Sequence, residues 1–158
     1  MHLSRQYSFI PYQIFCLALL HGLLYAAFTP PWGLIDEVQH FHYIKFISEN
    51  GSLPVVGETL LSTDLVDSLF ATQHWQTFHW STPTGQSIEQ LGAVGHSYEA
   101  YQPPLFYLLM APILSVLPGD VLTQLFLLRC VMVILSLSSL FFLWLTANLI
   151  FPQEKQWA

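Results

Sequence analysis

Two adjacent carboxylates and a nearby histidine are the residues in this sequence best suited to acid–base chemistry. Asp36 and Glu37 follow an apolar segment that ends in Thr-Pro-Pro-Trp-Gly at residues 29–33, and His40 lies one helical turn further on. Residues three and four apart are neighbours on a helix, which predicts that His40 lies over both carboxylates. A partly desolvated carboxylate at a membrane interface is suited to act as a general base for an alcohol. The structural alternative is that Asp36 caps a helix and Glu37 favours its positive end.

The spacing of the histidines disfavours a metal site. His40 and His42 are two residues apart, so on a helix they point to different faces. A metal held by Asp36 and His40 finds no further ligands in this pattern. We therefore expect no cofactor and no metal site, with a divalent ion disfavoured rather than excluded.

A second unusual segment reads Tyr-Gln-Pro-Pro-Leu-Phe-Tyr at residues 101–107. Its prolines can start a helix because they need no backbone donors there. Tyr101 and Gln102 then lie at the positive end of that helix, where an anion such as a lipid phosphate is favoured. Arg129 is a second candidate for binding this phosphate. The alternatives are an interfacial aromatic belt for the tyrosines and snorkelling to head groups for Arg129.

The composition is that of a membrane protein. Of the 158 residues, 53% are hydrophobic and only 9% are charged, whereas soluble proteins have about a quarter charged residues. Eight of the ten acidic residues fall between residues 31 and 102, where Lys45 is the one basic residue. Nucleic acid is therefore excluded as a partner, because no basic patch is present to neutralise phosphates.

Two apolar segments are predicted to cross the membrane. They cover residues 9–29 and 121–151, and each reaches the roughly 20 residues that a bilayer core requires. Arg5 precedes the first segment, which favours a cytoplasmic N-terminus over residues 1–8. A cleavable signal peptide is the competing interpretation of the first segment. Residues 152–158 form a tail.

The segment between these spans is predicted to be an extracytoplasmic loop over residues 30–102. A juxtamembrane helix is predicted over residues 36–50, and a short amphipathic helix near 63–74. Residues 103–117 are apolar but shorter than a span, which indicates a juxtamembrane or re-entrant helix. The fold class is therefore α-helical and integral to the membrane, with two transmembrane helices, or three if residues 103–117 cross.

Two local features are expected in the first helix of the loop. Asp36 and Gln39 have the spacing of an N-terminal capping pair, and Gly51 supplies a stop. One apolar face is expected to lie on the membrane surface. This face consists of Val38, Phe41, Ile44 and Ile47.

The order of these motifs resembles the N-terminal part of GT-C membrane glycosyltransferases of the family 39 type. The resemblance is carried by Pro-Pro-Trp-Gly-Leu-Ile-Asp-Glu-Val-Gln-His at residues 30–40, Glu-Asn-Gly-Ser-Leu-Pro at 49–54 and the segment at 101–107, followed by a span led by Arg129. The pattern is similar to that of dolichyl-phosphate-mannose protein mannosyltransferases and lipid A aminoarabinose transferases.

The resemblance implies an inverting transfer of a sugar from a polyprenyl-phosphate donor to a glycan, lipid or protein acceptor at the extracytoplasmic face of the cell membrane. Asp36 matches the catalytic carboxylate of that family, and Glu37 matches its supporting acid. Relatives carry a basic residue, a Glu-Lys pair or a histidine before the two prolines. Tyr101 and Gln102 occupy that position here, and Glu99 is displaced from it.

Two helices and a loop offer little interior surface for a polar site. We therefore expect the chain to be a fragment of a longer multi-pass protein, inactive by itself. The alternative belongs to another class: a small non-enzymatic subunit with two spans, whose acidic loop binds a partner.

Overall fold

The computed structural model of the chain describes residues 10–34, 36–77 and 95–150, and these residues form an α-helical protein. Six α-helices are assigned within them, together with one 3₁₀ turn at Glu99–Tyr101. The helices are α1 (Ile10–Phe28), α2 (Glu37–Asn50), α3 (Thr63–Ala71), α4 (His74–Thr77), α5 (Leu105–Val116) and α6 (Val121–Ile150). The expected cytoplasmic N-terminus at residues 1–8 and the tail at 152–158 lie outside the described residues.

The chain divides into two compact units. The first, called the α1–α6 unit, combines Met1–Phe28 with Leu128–Ala158, and the second, called the loop unit, covers Thr29–Leu127. In the α1–α6 unit the two helices approach closely at Gly22, where an added Cβ would lie 2.8 Å from Cγ1 of Val133. The absence of a side chain at Gly22 therefore permits this helix contact.

Helix α6 is long and apolar enough to cross a membrane. It has 30 residues, about 45 Å of helix, against a hydrocarbon thickness of about 30 Å. By the same measure it is the one such helix among the described residues, while α1 and α5 are shorter apolar helices. The sequence prediction of a helical membrane protein is confirmed to this extent.

The loop unit is built on the packing of α2 against α5. Helix α2 ends at Gly51, which adopts a left-handed conformation (φ 65°) and donates its backbone N–H to the carbonyl of Ile47. Helix α5 begins directly after Pro104, as the proline pair predicts. The two helices share tightly packed aromatic rings, since Tyr43 of α2 stacks on Tyr107 of α5 with the ring centroids 3.8 Å apart.

The apolar face of α2 lies in the interior of the loop unit, and the prediction that it lies on the membrane surface was wrong. Val38, Phe41, Ile44 and Ile47 are all buried. Phe41 meets the edge of the Trp32 ring at a centroid distance of 5.3 Å, and Trp32 is fully buried. The helical spacing correctly indicated an apolar face, but protein side chains cover that face.

The remaining part of the loop unit is anchored on α2 by a buried cation. Lys45 is 7% exposed and its ammonium contacts the carboxylates of Glu49 (2.5 Å) and Asp64 (2.9 Å). Asp64 lies in the first turn of α3, so this pairing ties α3 to α2. Helix α3 ends at Ala71, before the predicted limit near residue 74, because the chain turns at Gln73 with a φ of 54°.

Candidate functional site

Asp36 presents its carboxylate to a tyrosine and does not cap α2. Its backbone is left-handed (φ 62°, ψ 2°), and its side chain makes no capping hydrogen bond. The hydroxyl of Tyr98 donates instead to Oδ1 of Asp36, at 2.5 Å. The predicted capping pair with Gln39 was therefore wrong, because a capping residue needs an extended backbone to turn its side chain onto the first turn. The amide of Gln39 donates to the carbonyl of His96.

Tyr98 is a donor to Asp36 throughout the neutral pH range. Burial raises the pKa of Tyr98, and the hydrogen bond to Asp36 and the charges of Asp36 and Glu99 raise it further. The phenol is 40% exposed, so the Asp36–Tyr98 pair lies at the surface of the loop unit. A carboxylate with one hydrogen-bonded oxygen and a second oxygen is able to accept a proton from a bound hydroxyl group.

His40 contacts α5 through Tyr107. Its Nδ1 lies 2.7 Å from the hydroxyl of Tyr107, and the direction of this hydrogen bond depends on the histidine tautomer. Tyr107 is itself held in place by its stacking on Tyr43, and both rings are buried. The orientation of His40 is thus determined by buried aromatic packing, while its own side chain is half-buried.

The segment before α5 carries a buried carboxylate. Glu99 is 6% exposed and accepts a hydrogen bond of 2.9 Å from the amide of Gln102. The same amide lies 3.4 Å from the hydroxyl of Tyr101, whose side chain is 68% exposed. Tyr101 and Gln102 do precede the first turn of α5, as the sequence indicated. The side-chain amide of Gln102 is therefore hydrogen-bonded to Glu99, whereas the side chain of Tyr101 is exposed.

Glu37 acts electrostatically on a residue outside the predicted site. It occupies the first turn of α2, and its negative charge opposes the effect of burial on His74. Burial lowers the pKa of His74, against the hydrogen bond with the carbonyl of Trp32 and the charge of Glu37. The Nδ1 of His74 lies 3.1 Å from that carbonyl. This hydrogen bond links the Pro-Pro-Trp segment to the first residue of α4.

Arg129 belongs to the α1–α6 unit. Its guanidinium donates to the carbonyl of Ala26 at 3.4 Å, which links α6 to the end of α1. Over the described ranges 10–34, 36–77 and 95–150, the structure has no group of three or more metal-ligating side chains that could hold an ion.

The sequence did not predict the hydrogen-bond partners of Asp36 and His40. Tyr98 is 62 residues from Asp36 and Tyr107 is 67 residues from His40. An interfacial aromatic belt was the alternative interpretation of both tyrosines. Their nearness to the Pro-Pro pair was the one available signal, because that pair fixes where α5 begins and which residues lie at its start.

Comparison of the chain with family models, with curated proteins and with solved structures finds no match. Its class therefore follows from its own features. It is an α-helical protein with a helix able to cross a membrane, and its loop unit carries a surface carboxylate held by a tyrosine.

Proposed function

We propose that this chain is the N-terminal section of a multi-pass membrane glycosyltransferase. The enzyme transfers a sugar from a polyprenyl-phosphate donor to a glycan, lipid or protein acceptor at the extracytoplasmic face of the cell membrane. The proposal takes α1 and α6 as two transmembrane spans, with α2 to α5 between them in the sequence. With 19 residues, α1 extends about 28 Å, close to the hydrocarbon thickness of about 30 Å.

One observation carries the proposal: the two motifs of the resemblance meet in the folded loop unit. The Asp36–Tyr98 hydrogen bond and the His40–Tyr107 contact both join the start of α2 to the segment around the start of α5. If Asp36 were a helix cap, its carboxylate would accept hydrogen bonds from the backbone of the first turn of α2. Asp36 is instead bonded to Tyr98, three residues before the second motif, as expected for a carboxylate that works beside a substrate.

Asp36 is the general base in this proposal. Its carboxylate accepts the proton of the acceptor hydroxyl as that oxygen attacks the anomeric carbon of the donor sugar. The bond between the anomeric carbon and the lipid phosphate breaks, and the phosphate leaves with the electron pair. Tyr98 keeps one carboxylate oxygen oriented, which leaves the other oxygen to take the proton. Glu37 remains the supporting acid that the resemblance assigns.

The donor phosphate needs favourable contacts, since the start of α2 is rich in negative charge. Tyr101 and Gln102 lie at the amino end of α5, where the helix dipole favours an anion. His40 lies near this end of α5, because its ring contacts Tyr107, the third residue of the helix.

The test replaces Asp36 by asparagine in the gene product that contains this chain, expressed in membranes. The probes are radiolabelled polyprenyl-phosphate mannose and polyprenyl-phosphate aminoarabinose, and the readout is label transferred to endogenous acceptors. Asp36→Asn is expected to lower transfer by at least about 100-fold, the usual contribution of a general base. The amount of the variant protein in the membrane should equal that of the unmodified protein.

Asp67→Asn is the matched control, because Asp67 is an exposed carboxylate on α3 and the substitution removes the same charge. This variant should keep full transfer. Transfer that survives Asp36→Asn overturns the assignment of the base. A complete absence of transfer from either donor in the unmodified protein overturns the proposed reaction.

A further inference from the structure

Helix α5 exposes an apolar surface on the side opposite its buried residues. The buried side, which faces the interior of the loop unit, consists of Tyr107, Met110, Ala111 and Leu114. The other side, called the outer face of α5, consists of Leu105, Phe106, Leu108, Leu109, Pro112 and Val116. A helix that borders water normally carries charged and polar residues on its outward side. The exposed side of α5 carries no charged residue, and its one polar residue, Ser115, donates its hydroxyl to the carbonyl of Pro112. Leu109 and Val116 are 59% and 77% exposed.

The position of α5 in the chain indicates what covers this face. The helix ends at Val116, and four residues (117–120) separate it from Val121, where α6 begins. Four residues extend at most about 14 Å. The end of α5 is therefore held close to the start of the one described helix that can cross a membrane. The outer face of α5 is continuous along the chain with a segment suited to lipid.

The length of α5 determines how it can meet the bilayer. Its 12 residues extend about 18 Å, which is too short to cross a hydrocarbon core of about 30 Å. The buried side of the helix is already packed against α2. A helix with one side on protein and the other on lipid satisfies both constraints when it lies in the plane of the membrane surface.

We propose that the outer face of α5 is a membrane-docking surface that inserts into the acyl region at the bilayer interface and holds the loop unit against the membrane. The attraction is hydrophobic and not electrostatic. Between residues 29 and 127 the sequence has nine acidic residues and one basic residue, Lys45, and α5 itself has no charged residue. The surface therefore suits zwitterionic lipid and gains nothing from anionic head groups. This inference is independent of sugar transfer.

The experiment uses single cysteines in the full chain, with Cys16 and Cys130 replaced by alanine. A fluorophore is attached at Leu109→Cys, and at Glu58→Cys as an exposed control elsewhere in the loop unit. The protein is placed in phosphatidylcholine nanodiscs that contain lipids with spin-labelled acyl chains. The label at 109 should be quenched by these lipids and protected from aqueous iodide, and the label at 58 should show the reverse.

Quenching by iodide at 109 overturns the proposal, because the face would then border water. Protection from both quenchers, with a disulfide-linked dimer of the unlabelled Leu109→Cys variant, overturns it in favour of a second copy. Stronger lipid quenching at 109 after phosphatidylglycerol is added overturns the proposed lipid preference.

A second measurement on the unmodified protein covers the case in which Leu109→Cys fails to fold. Phosphatidylcholine with a photoactivatable acyl chain is incorporated into the nanodiscs, and cross-linked peptides are identified by mass spectrometry. Cross-links within residues 105–116 are expected at the outer face of α5. Cross-links confined to α1 and α6 overturn the proposal.

Discussion

Acidification should destabilise the loop unit through His42. This residue of α2 is 2% exposed, and neither ring nitrogen has a hydrogen-bond partner among the residues that the structure describes. Burial, and secondarily the positive charge of Lys45, lower the pKa of His42 to about 4. The folded chain therefore holds His42 neutral at pH values where the unfolded chain, with a pKa of about 6.5, already binds a proton.

The sign and size of the effect follow from proton linkage. Between pH 6.5 and 4 the unfolded state binds more protons than the folded state, so the free energy of unfolding falls as the pH falls. Titration of His42 with these two pKa values lowers the free energy of unfolding by about 2 kcal/mol between pH 8 and pH 5. The loss approaches its limit of about 3 kcal/mol below pH 4.

The assay is denaturant unfolding of the full chain in detergent micelles at a series of pH values. The readout is the emission of Trp32 and Trp75, which are both buried in the loop unit, with the other tryptophans replaced by phenylalanine. His42→Leu should remove about 2 kcal/mol of the pH dependence. It should also keep or increase stability at pH 8, because it eliminates two buried ring nitrogens that lack partners.

The control variant for His42→Leu replaces a neighbouring aromatic residue of α2. Phe46→Leu removes the ring that lies 6.0 Å from the His42 ring, centroid to centroid, without removing a titratable group. It should lower stability by a similar amount at every pH. His74 also has a pKa lowered by burial, so the comparison of His42→Leu with the unmodified chain is what isolates His42. An unchanged pH dependence in His42→Leu would refute the reasoning.

Two pairs of substitutions, one pair in each unit, test packing by denaturant unfolding in micelles. Asp64→Asn should cost about 1–3 kcal/mol, because it removes one of two carboxylates that contact the buried ammonium of Lys45, whereas Lys45→Met should cost less; the opposite order would contradict this account. Gly22→Leu should destabilise the α1–α6 unit by about 1–3 kcal/mol through overpacking against Val133. Cys16→Leu is its control at an exposed position of α1, and equal effects of the two substitutions would argue against close packing at Gly22.

Local sequence features correctly predicted the limits of several helices. The apolar segment at 121–151 predicted α6, whose observed limits are Val121–Ile150. Gly51 and the residues before it predicted the end of α2, because a left-handed residue that favours glycine is what terminates a helix there. The pair Pro103-Pro104 predicted the start of α5 for an equally local reason: these residues fit at a helix start and disrupt a helix interior.

Contacts between residues far apart in the chain could not be predicted from the sequence. The four apolar residues of α2 have the spacing of a buried face, but spacing is the same whether lipid or protein covers them. In the structure this face is covered by protein, because α2 packs against α5 and Phe41 packs against Trp32. Asp36 also has the sequence context of a helix cap, since local pattern does not reveal the left-handed backbone that turns its carboxylate away.

The amino-acid sequence is enough to show that the chain is helical, suited to a membrane and marked by a carboxylate pair and a proline pair. These properties depend on composition, turn chemistry and periodicity, which act over a few residues. The contacts of Tyr98 with Asp36 and of Tyr107 with His40 became visible in the folded chain, because these partners are 62 and 67 residues apart. Which groups meet across such separations is decided by the packing of α2 on α5, and no local pattern encodes it.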